Sequence, residues 1–269
     1  MFTKNLLAAG LCLVSALAFT SCSKESESIT KADEVSQEVL SQIKQLGFTS
    51  QGAMAVEGGY VVEGDIFLTN EDLANPSPVK LMRVGAEEQY RTTNLVDVVN
   101  IRNITISVST ALPAAYVTAT DEMIRRYNAE NLTITMSRVA SGGDIDLAQA
   151  PKRARYLASA GFPTSTGNPH NQVLINSGAI GTANPSTYIA TILAHEVGHC
   201  IGFRHTDYMD RSFSCGGATS NEGASTVGAI LIPGTPAAAD PNSFMLACIG
   251  SGADRPFNAN DKIALTAIY

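Results

Sequence analysis

Residues 193–207 read LAHEVGHCIGFRHTD, and the rest of the chain can be organised around this stretch. His195 and His199 stand four residues apart in an apolar run, so a helix would place both imidazoles on one face, one turn apart. This is the spacing of two ligands to one metal ion. Glu196 lies beside the same face, close enough to act on a water bound to that metal. The pattern therefore predicts a helix that carries two metal ligands and a carboxylate.

A third ligand is predicted a few residues further on. Gly202 can adopt backbone conformations closed to other residues, so the helix can end there and the chain can bring His205 to the same ion. Three of the chain's four histidines fall within these eleven residues, whereas histidines buried singly in a core would be scattered. Three neutral nitrogen ligands leave one coordination position open, which is typical of a catalytic zinc site rather than a structural one.

The string HEVGHCIGFRH, residues 195–205, fits the HExxHxxGxxH motif of the metzincin zinc endopeptidases. The wider string resembles the dual-action HEIGH metallopeptidases within that group. Ser243-Phe244-Met245 is similar to the methionine-containing turn that metzincins carry beneath the zinc, and residues 258–269 are similar to their C-terminal helix. The resemblance covers roughly the last two thirds of the chain.

The resemblance implies an α+β fold of the metzincin kind. Its expected parts are a twisted, mostly parallel sheet with an antiparallel edge strand, a zinc-binding helix, and a C-terminal subdomain with the Met245 turn and a terminal helix. Periodicity agrees, since Ile104–Val108 and Leu132–Val139 read as strands around a helix at Ala114–Asn128, which indicates a parallel crossover. In metzincins the edge strand lies at the place of Gly161–Pro169, and a protein or peptide substrate binds along it as an added strand.

The N-terminus is predicted to direct export. Lys4 precedes an apolar run, Leu6–Phe19, which is too short to span a bilayer but is placed where a secretory signal belongs. The small residues before Cys22 resemble a bacterial lipoprotein cleavage site, although Phe19 departs from the usual leucine. We therefore expect a signal peptide at residues 1–21. The exported protein would be an outer-membrane or cell-surface lipoprotein, anchored to the membrane by lipid on Cys22, or would be secreted if an ordinary signal peptide is cut near Cys22.

Residues 22–93 are predicted to form a lipidated tether and a prosegment, and residues 94–269 the metzincin-like catalytic domain. Glu63-Gly64-Asp65-Ile66 is similar to the prosegment motif of the astacin metzincins, in which the aspartate sits on the zinc and blocks it. Asp65 is therefore a candidate latency switch. The alternative is an ordinary β-turn, because Gly-Asp is common turn chemistry.

Other residues are candidates for supporting roles. Asp207, two residues after the third histidine, could orient His205. Tyr208 could act as an oxyanion donor, because many astacins supply a tyrosine two residues after the turn methionine and this chain has Ala247 there.

Three thiols remain if Cys12 leaves with the signal and Cys22 carries lipid. Cys215 and Cys248 lie in loop-rich sequence on either side of the Met245 turn, so they are the preferred disulfide pair in an oxidising compartment. Cys200 lies about 100° around the helix from the neighbouring histidine, which favours a buried apolar role.

Composition also excludes one class of partner. The net charge of −7, with no basic run, argues against a nucleic-acid partner.

The expected cofactor is one zinc ion. Asp144 and Asp146 could hold calcium, but the sequence offers no full ligand loop, so a solvated strand face is the simpler interpretation.

The sequence therefore predicts an endopeptidase that hydrolyses protein substrates with a zinc-bound water and Glu196 as general base. The alternative is a non-catalytic surface lipoprotein that uses the same fold to bind protein or glycan. Glu196 argues against this alternative, because a structural zinc site has no need of a carboxylate at that position.

Overall fold

The computed structural model describes residues 35–74, 89–100, 103–223, 227–236 and 239–269. The predicted signal peptide, Cys22 and the start of the tether lie outside the described residues. Among the helices of the described ranges, none combines the length and the apolar character that a membrane crossing requires.

A mostly parallel eight-stranded sheet forms the centre of the fold. Its strands are β1 (Met54–Val56), β2 (Gly59–Val62), β3 (Ile66–Thr69), β5 (Asn103–Val108), β6 (Thr135–Val139), β7 (Ile145–Gln149), β8 (Ala158–Ala160) and β9 (Gln172–Ile175). They are arranged in the order β1-β2-β3-β8-β9-β7-β5-β6. The pairs β3–β8, β9–β7, β7–β5 and β5–β6 are parallel, and the other three are antiparallel. The expectation of a mixed fold around a mostly parallel sheet is confirmed.

Two long helices pack against this sheet and against each other. Helix α3 spans Ala114–Asn128, as the sequence period predicts. Helix α5 spans Ser186–Cys200, and every residue from Tyr188 onward is buried, which is the pattern of a helix enclosed on all sides. The hydroxyl of Tyr127 on α3 donates to the carbonyl of Ala194 on α5 at 2.7 Å. The predicted metal-binding helix therefore lies in the interior, where its side chains have fixed surroundings.

The N-terminal segment extends the sheet. Helix α1 (Gln37–Gln45) precedes β1, β2 and β3, and the short helix α2 (Asn70–Ala74) follows them. The sequence from Tyr60 to Leu68 predicts one strand bent at Gly64. In the structure, β2 and β3 instead form an antiparallel hairpin whose turn contains Gly64. Glu63 and Gly64 have φ of 54° and 93°, which reverses the chain within a few residues. Asp65 therefore lies in the turn of a hairpin.

The antiparallel strand beside the cleft is β8 at Ala158–Ala160, and the prediction of Gly161–Pro169 for this strand was wrong. Proline has no N–H to donate to a strand ladder, and residues 161–171 form loops and a turn. β8 is not a free edge, because β3 pairs with its outer side. The N–H of Ala160 donates to the carbonyl of Asp65 at 2.9 Å.

The chain ends in helix α7 (Ala259–Ile268), which begins with a capping box formed by Asn258 and Asp261. The buried carboxylate of Asp261 also accepts hydrogen bonds from the Ser243 hydroxyl at 2.8 Å and the Phe244 N–H at 3.2 Å. The terminal helix thus fixes the turn that precedes Met245.

Residues just before the predicted domain boundary pack with the C-terminal part. Strand β4 (Tyr90–Arg91) pairs with β10 (Ile230–Leu231). The buried amide of Gln89 donates to Asp261 at 2.9 Å and to Ser243 at 3.2 Å. A cut at residue 94 would remove these contacts, so an engineered separation of the two parts should come before Gln89.

Candidate metal centre

Three imidazoles and one carboxylate meet at a single point. The Nε2 atom of His199 lies 3.1 Å from that of His195 and 3.2 Å from that of His205. Asp65 Oδ2 is 3.2 Å from His205 Nε2 and 3.5 Å from His195 Nε2. All four residues are buried, and their ligand atoms lie within 4.8 Å of one another. Within the described ranges, this is the one group of His, Cys, Asp and Glu side chains placed to hold a metal ion.

The backbone at two glycines makes this convergence possible. Gly202, just past the end of α5, has φ of 107°, and a Cβ there would lie 2.7 Å from Leu95. Only glycine suits that turn, which redirects the chain toward His205. A Cβ on Gly198 would lie 2.7 Å from Met245 Sδ, so Met245 packs directly against the metal-binding helix.

Each histidine is oriented through its second ring nitrogen. The three acceptors of Nδ1 are the carbonyl of Phe244 for His195 (2.9 Å), the carbonyl of Phe203 for His199 (2.8 Å) and the carboxylate of Glu222 for His205 (2.8 Å). Because these oxygens accept hydrogen bonds, the proton of each neutral ring belongs on Nδ1 and a lone pair is available on Nε2. All three lone pairs then point at the common centre.

The donor set fits zinc. Three imidazole nitrogens and one carboxylate oxygen are ligands that zinc takes in tetrahedral sites. Two buried oxygens at the centre, Asp65 Oδ1 and Glu196 Oε2, lack a hydrogen-bond partner among the described residues. Buried polar atoms without protein partners indicate a further ion or water at the same place. Burial, with the charges of the neighbouring imidazoles, lowers the pKa of His199, which favours the neutral form that binds metal.

The two carboxylates at the centre have opposite pKa shifts. Burial raises the pKa of Glu196 well above its usual value, and the charge of Asp65 raises it further. Burial also disfavours ionisation of Asp65, but His205 and His195 outweigh it and hold the pKa of Asp65 low. Asp65 is thus the anionic partner of the histidines, whereas Glu196 is the more basic carboxylate.

Glu222 is a functional candidate that the motif analysis missed, and it occupies the position predicted for Asp207. The Asp207 carboxylate instead accepts hydrogen bonds from the Ala247 N–H at 2.9 Å and the Ser214 hydroxyl at 2.5 Å. It therefore orients the chain after Met245 and not His205. One sequence feature points to Glu222, since it is the single charged residue between positions 212 and 239.

The remaining predicted residues are placed as follows. Tyr208 is buried and packs edge-on against Tyr90, with ring centroids 4.4 Å apart, and it does not line the cavity beside Glu196. This position does not suit the predicted oxyanion donor. Cys215 and Cys248 form a disulfide that links helix α6 (Ser212–Cys215) to the segment after Met245, and Cys200 is a buried thiol.

The two aspartates considered for calcium make other contacts. Asp144 accepts hydrogen bonds from the N–H and the hydroxyl of Thr105, at 2.8 and 2.6 Å. Asp146 accepts one from the hydroxyl of Ser107 at 2.8 Å. These bonds tie β7 and the residue before it to β5, which gives both carboxylates a structural role.

Glu222→Gln is expected to lower the affinity for zinc by roughly 10- to 100-fold, because a neutral amide polarises the His205 ring less than a carboxylate does. Competition with a chromophoric chelator would measure the affinity, and circular dichroism would verify that the variant is folded. Asp207→Asn is the matched control and should keep the affinity of the unmodified chain. Equal affinities in both variants would contradict the assigned role of Glu222.

One family of known proteins matches most of this chain. The profile described as "Dual-action HEIGH metallo-peptidase" matches residues 60–269, a range that includes Asp65 and the three histidines. A search of curated protein sequences finds no match. Among solved structures, one titled "Structure of Myroilysin" is similar to this chain with a TM-score of 0.40 and 14% identity, over 64% of this chain and 83% of that chain.

Proposed function

Because this chain belongs to the dual-action HEIGH metallo-peptidase family, we propose that it is an exported zinc endopeptidase that cleaves protein substrates with Glu196 as general base. One observation carries the proposal. Three Nε2 atoms converge beside a buried carboxylate whose Oε2 atom has no hydrogen-bond partner among the described residues. This is the arrangement that metal-assisted hydrolysis requires.

His195, His199 and His205 would hold the ion. When bound, zinc supplies a Lewis acid and lowers the pKa of a coordinated water toward about 7. Glu196 follows the first ligand in sequence and lines the same cavity as His195, so its carboxylate would be close enough to act on that water. It would accept the proton of the water and donate it to the leaving amine. Burial raises the pKa of Glu196, so its carboxylate is a stronger base than that of an exposed glutamate.

The substrate would bind along β8. An extended peptide can add to an exposed strand through main-chain hydrogen bonds. In the full chain this side of β8 is paired with β3, through Ile66 opposite Ala160. The N-terminal hairpin and a substrate would therefore compete for the same strand.

The same proposal makes the chain a zymogen in which Asp65 is the latency switch. The hairpin presents the Asp65 carboxylate to two of the three histidines, where it would take the fourth position on the ion. A carboxylate in that position excludes the catalytic water. Its charge also partly neutralises an ion that three neutral imidazoles leave fully positive.

Buried polar contacts surround the turn of the hairpin. The Glu63 carboxylate lies 3.6 Å from the guanidinium of Arg204, which is fully buried. Glu63 also accepts hydrogen bonds from the Thr49 N–H, at 3.0 Å, and through its carbonyl from Arg211. These contacts flank Asp65 and support a specific inhibitory role over an ordinary turn.

The proposal also includes export of the protein and acylation of Cys22. Export agrees with latency, because an inhibited protease does not harm the cell before it leaves. Cys22→Ser is expected to release the protein from the membrane fraction. Retention of this variant in the membrane fraction would exclude a lipid anchor at Cys22.

The proposal is tested with the full chain, carrying an inserted site for a sequence-specific protease between Asn75 and Glu88. After cleavage at that site, the protein should hydrolyse an unfolded protein substrate. A chelator should abolish the activity, and added zinc should restore it. No hydrolysis after cleavage, or hydrolysis that resists chelation, would contradict the proposed function.

A further inference from the structure

A cavity of about 260 Å³ opens beside His195 and Glu196. Much of its wall is apolar and includes Leu157, Ile192, Leu246 and Ile249. Three arginines also line it, namely Arg155, Arg211 and Arg255. The cavity therefore combines apolar walls with three guanidinium groups, next to Glu196 and to the Asp65 carboxylate of the N-terminal hairpin.

The three arginines differ in whether a carboxylate lies close to the guanidinium group. Arg211 lies 3.2 Å from the Glu222 carboxylate, so its charge is compensated within the protein. Neither Arg155 nor Arg255 has a carboxylate of the described ranges within ion-pair distance. Two cationic side chains of the cavity thus lack a close anionic partner within the described part of the chain.

Arg255 is held in a fixed orientation. Its Nη1 atom donates to the carbonyl of Cys248 at 2.8 Å, in the segment that follows the Met245 turn and forms one wall of the cavity. Partial burial lowers the pKa of Arg255, although the more distant charges of Asp207 and Asp261 act in the opposite direction. A partly desolvated guanidinium without a close counter-charge is unfavourable, and a bound carboxylate would offset that cost. Arg155 is exposed and would add its charge at the rim.

We propose that this cavity is the subsite for an acidic residue of the substrate, with Arg255 as the specificity-determining group and Arg155 in support. The inference rests on the proposed peptidase function and names a substrate class for it. Apolar walls accommodate the methylene groups of a glutamate, and a guanidinium pairs with a carboxylate through two parallel hydrogen bonds. The C-terminal carboxylate of a peptide offers the same chemistry, so the experiment must separate the two sources.

The experiment uses the Asp65→Ala chain, cleaved at the site inserted between Asn75 and Glu88 so that the hairpin can leave β8, and peptides that differ only in Glu, Gln or Lys at each position flanking the cleaved bond. Each peptide is made with a free and with an amidated C-terminus. At one of these positions, kcat/KM for Glu is expected to exceed that for Gln by about tenfold, whichever terminus is present. Added to this chain, Arg255→Gln should reduce the ratio to near one, and Arg255→Glu should reverse the preference toward Lys. A reversal cannot result from lost stability, so it separates recognition from folding.

Arg153→Glu is the matched control. Arg153 is exposed, lies two residues from Arg155 and does not line the cavity, so this variant should keep the preference for Glu. Equal cleavage of Glu and Gln peptides at every position would overturn the inference and leave the peptidase function intact. Cleavage that requires a free C-terminus without a preference for Glu would overturn it in favour of terminal carboxylate recognition. Failure to cleave any peptide would contradict the proposed function itself, and the inference with it.

Discussion

Glu196→Gln is expected to lower kcat/KM on a peptide substrate by roughly 10²- to 10⁴-fold while one zinc ion stays bound to each chain. Glutamine keeps the size and polarity of glutamate but cannot accept a proton from water at neutral pH. The Oε2 atom of Glu196 has no hydrogen-bond partner among the described residues, so the substitution leaves no network of the protein broken at that atom. The loss should therefore be one of turnover and not of folding or metal binding.

The measurement compares turnover and metal content in the Asp65→Ala background. Glu130→Gln serves as the control, because it removes a carboxylate whose ion pair with Lys262 connects the segment after α3 to α7. Both properties should remain unchanged in this control. If Glu196→Gln retained full turnover with zinc bound, another residue would have to handle the proton.

Asp65→Ala is expected to raise the activity of the full-length chain by about tenfold or more, since a fourth protein ligand would no longer exclude water from the ion. The carboxylate lies 3.2 Å from His205 Nε2 in the turn of a hairpin, so alanine removes it without altering the Gly64 conformation. We expect activation to be incomplete in this variant, because β3 still pairs with β8. Cleavage between Asn75 and Glu88, which permits release of the hairpin, should increase the rate further.

Glu57→Ala is the matched control for latency. Glu57 is an exposed carboxylate in the turn between β1 and β2 of the same segment, away from the histidines. This variant should be as inactive as the unmodified chain. Equal rates for the unmodified chain, Asp65→Ala and the cleaved chain would contradict latency. The N-terminal segment would then act only as a spacer or folding aid.

The convergence of the three histidines could be predicted because it depends on local geometry. His195 and His199 share one helix, and His205 follows a single turn at Gly202, so spacing alone brings the three rings together. Glu222 could not be predicted in the same way. It lies in a segment without periodicity, and its contact with His205 depends on how that segment folds back over the site.

The fold predictions that were wrong also concern features that local sequence patterns do not determine. An alternating run from Tyr60 to Leu68 is compatible with one bent strand or with a hairpin, and periodicity does not distinguish them. The pairing of β3 with β8 joins residues more than ninety positions apart, which no local pattern encodes. Gln89 is polar and lies in a polar stretch, as a linker residue would, yet its amide is buried between Ser243 and Asp261.

The central claim is that His195, His199 and His205 bind one zinc ion, and metal content tests it most directly. Mass spectrometry would determine zinc per chain in the purified full-length protein, in His199→Ala and in His170→Gln. His170, the fourth histidine, packs against Phe67 with ring centroids 6.1 Å apart and takes no part in the cluster. We expect one zinc ion per chain in the unmodified protein and in His170→Gln, and a content well below one in His199→Ala. Full zinc content in His199→Ala, or no zinc in the unmodified protein, would contradict the account.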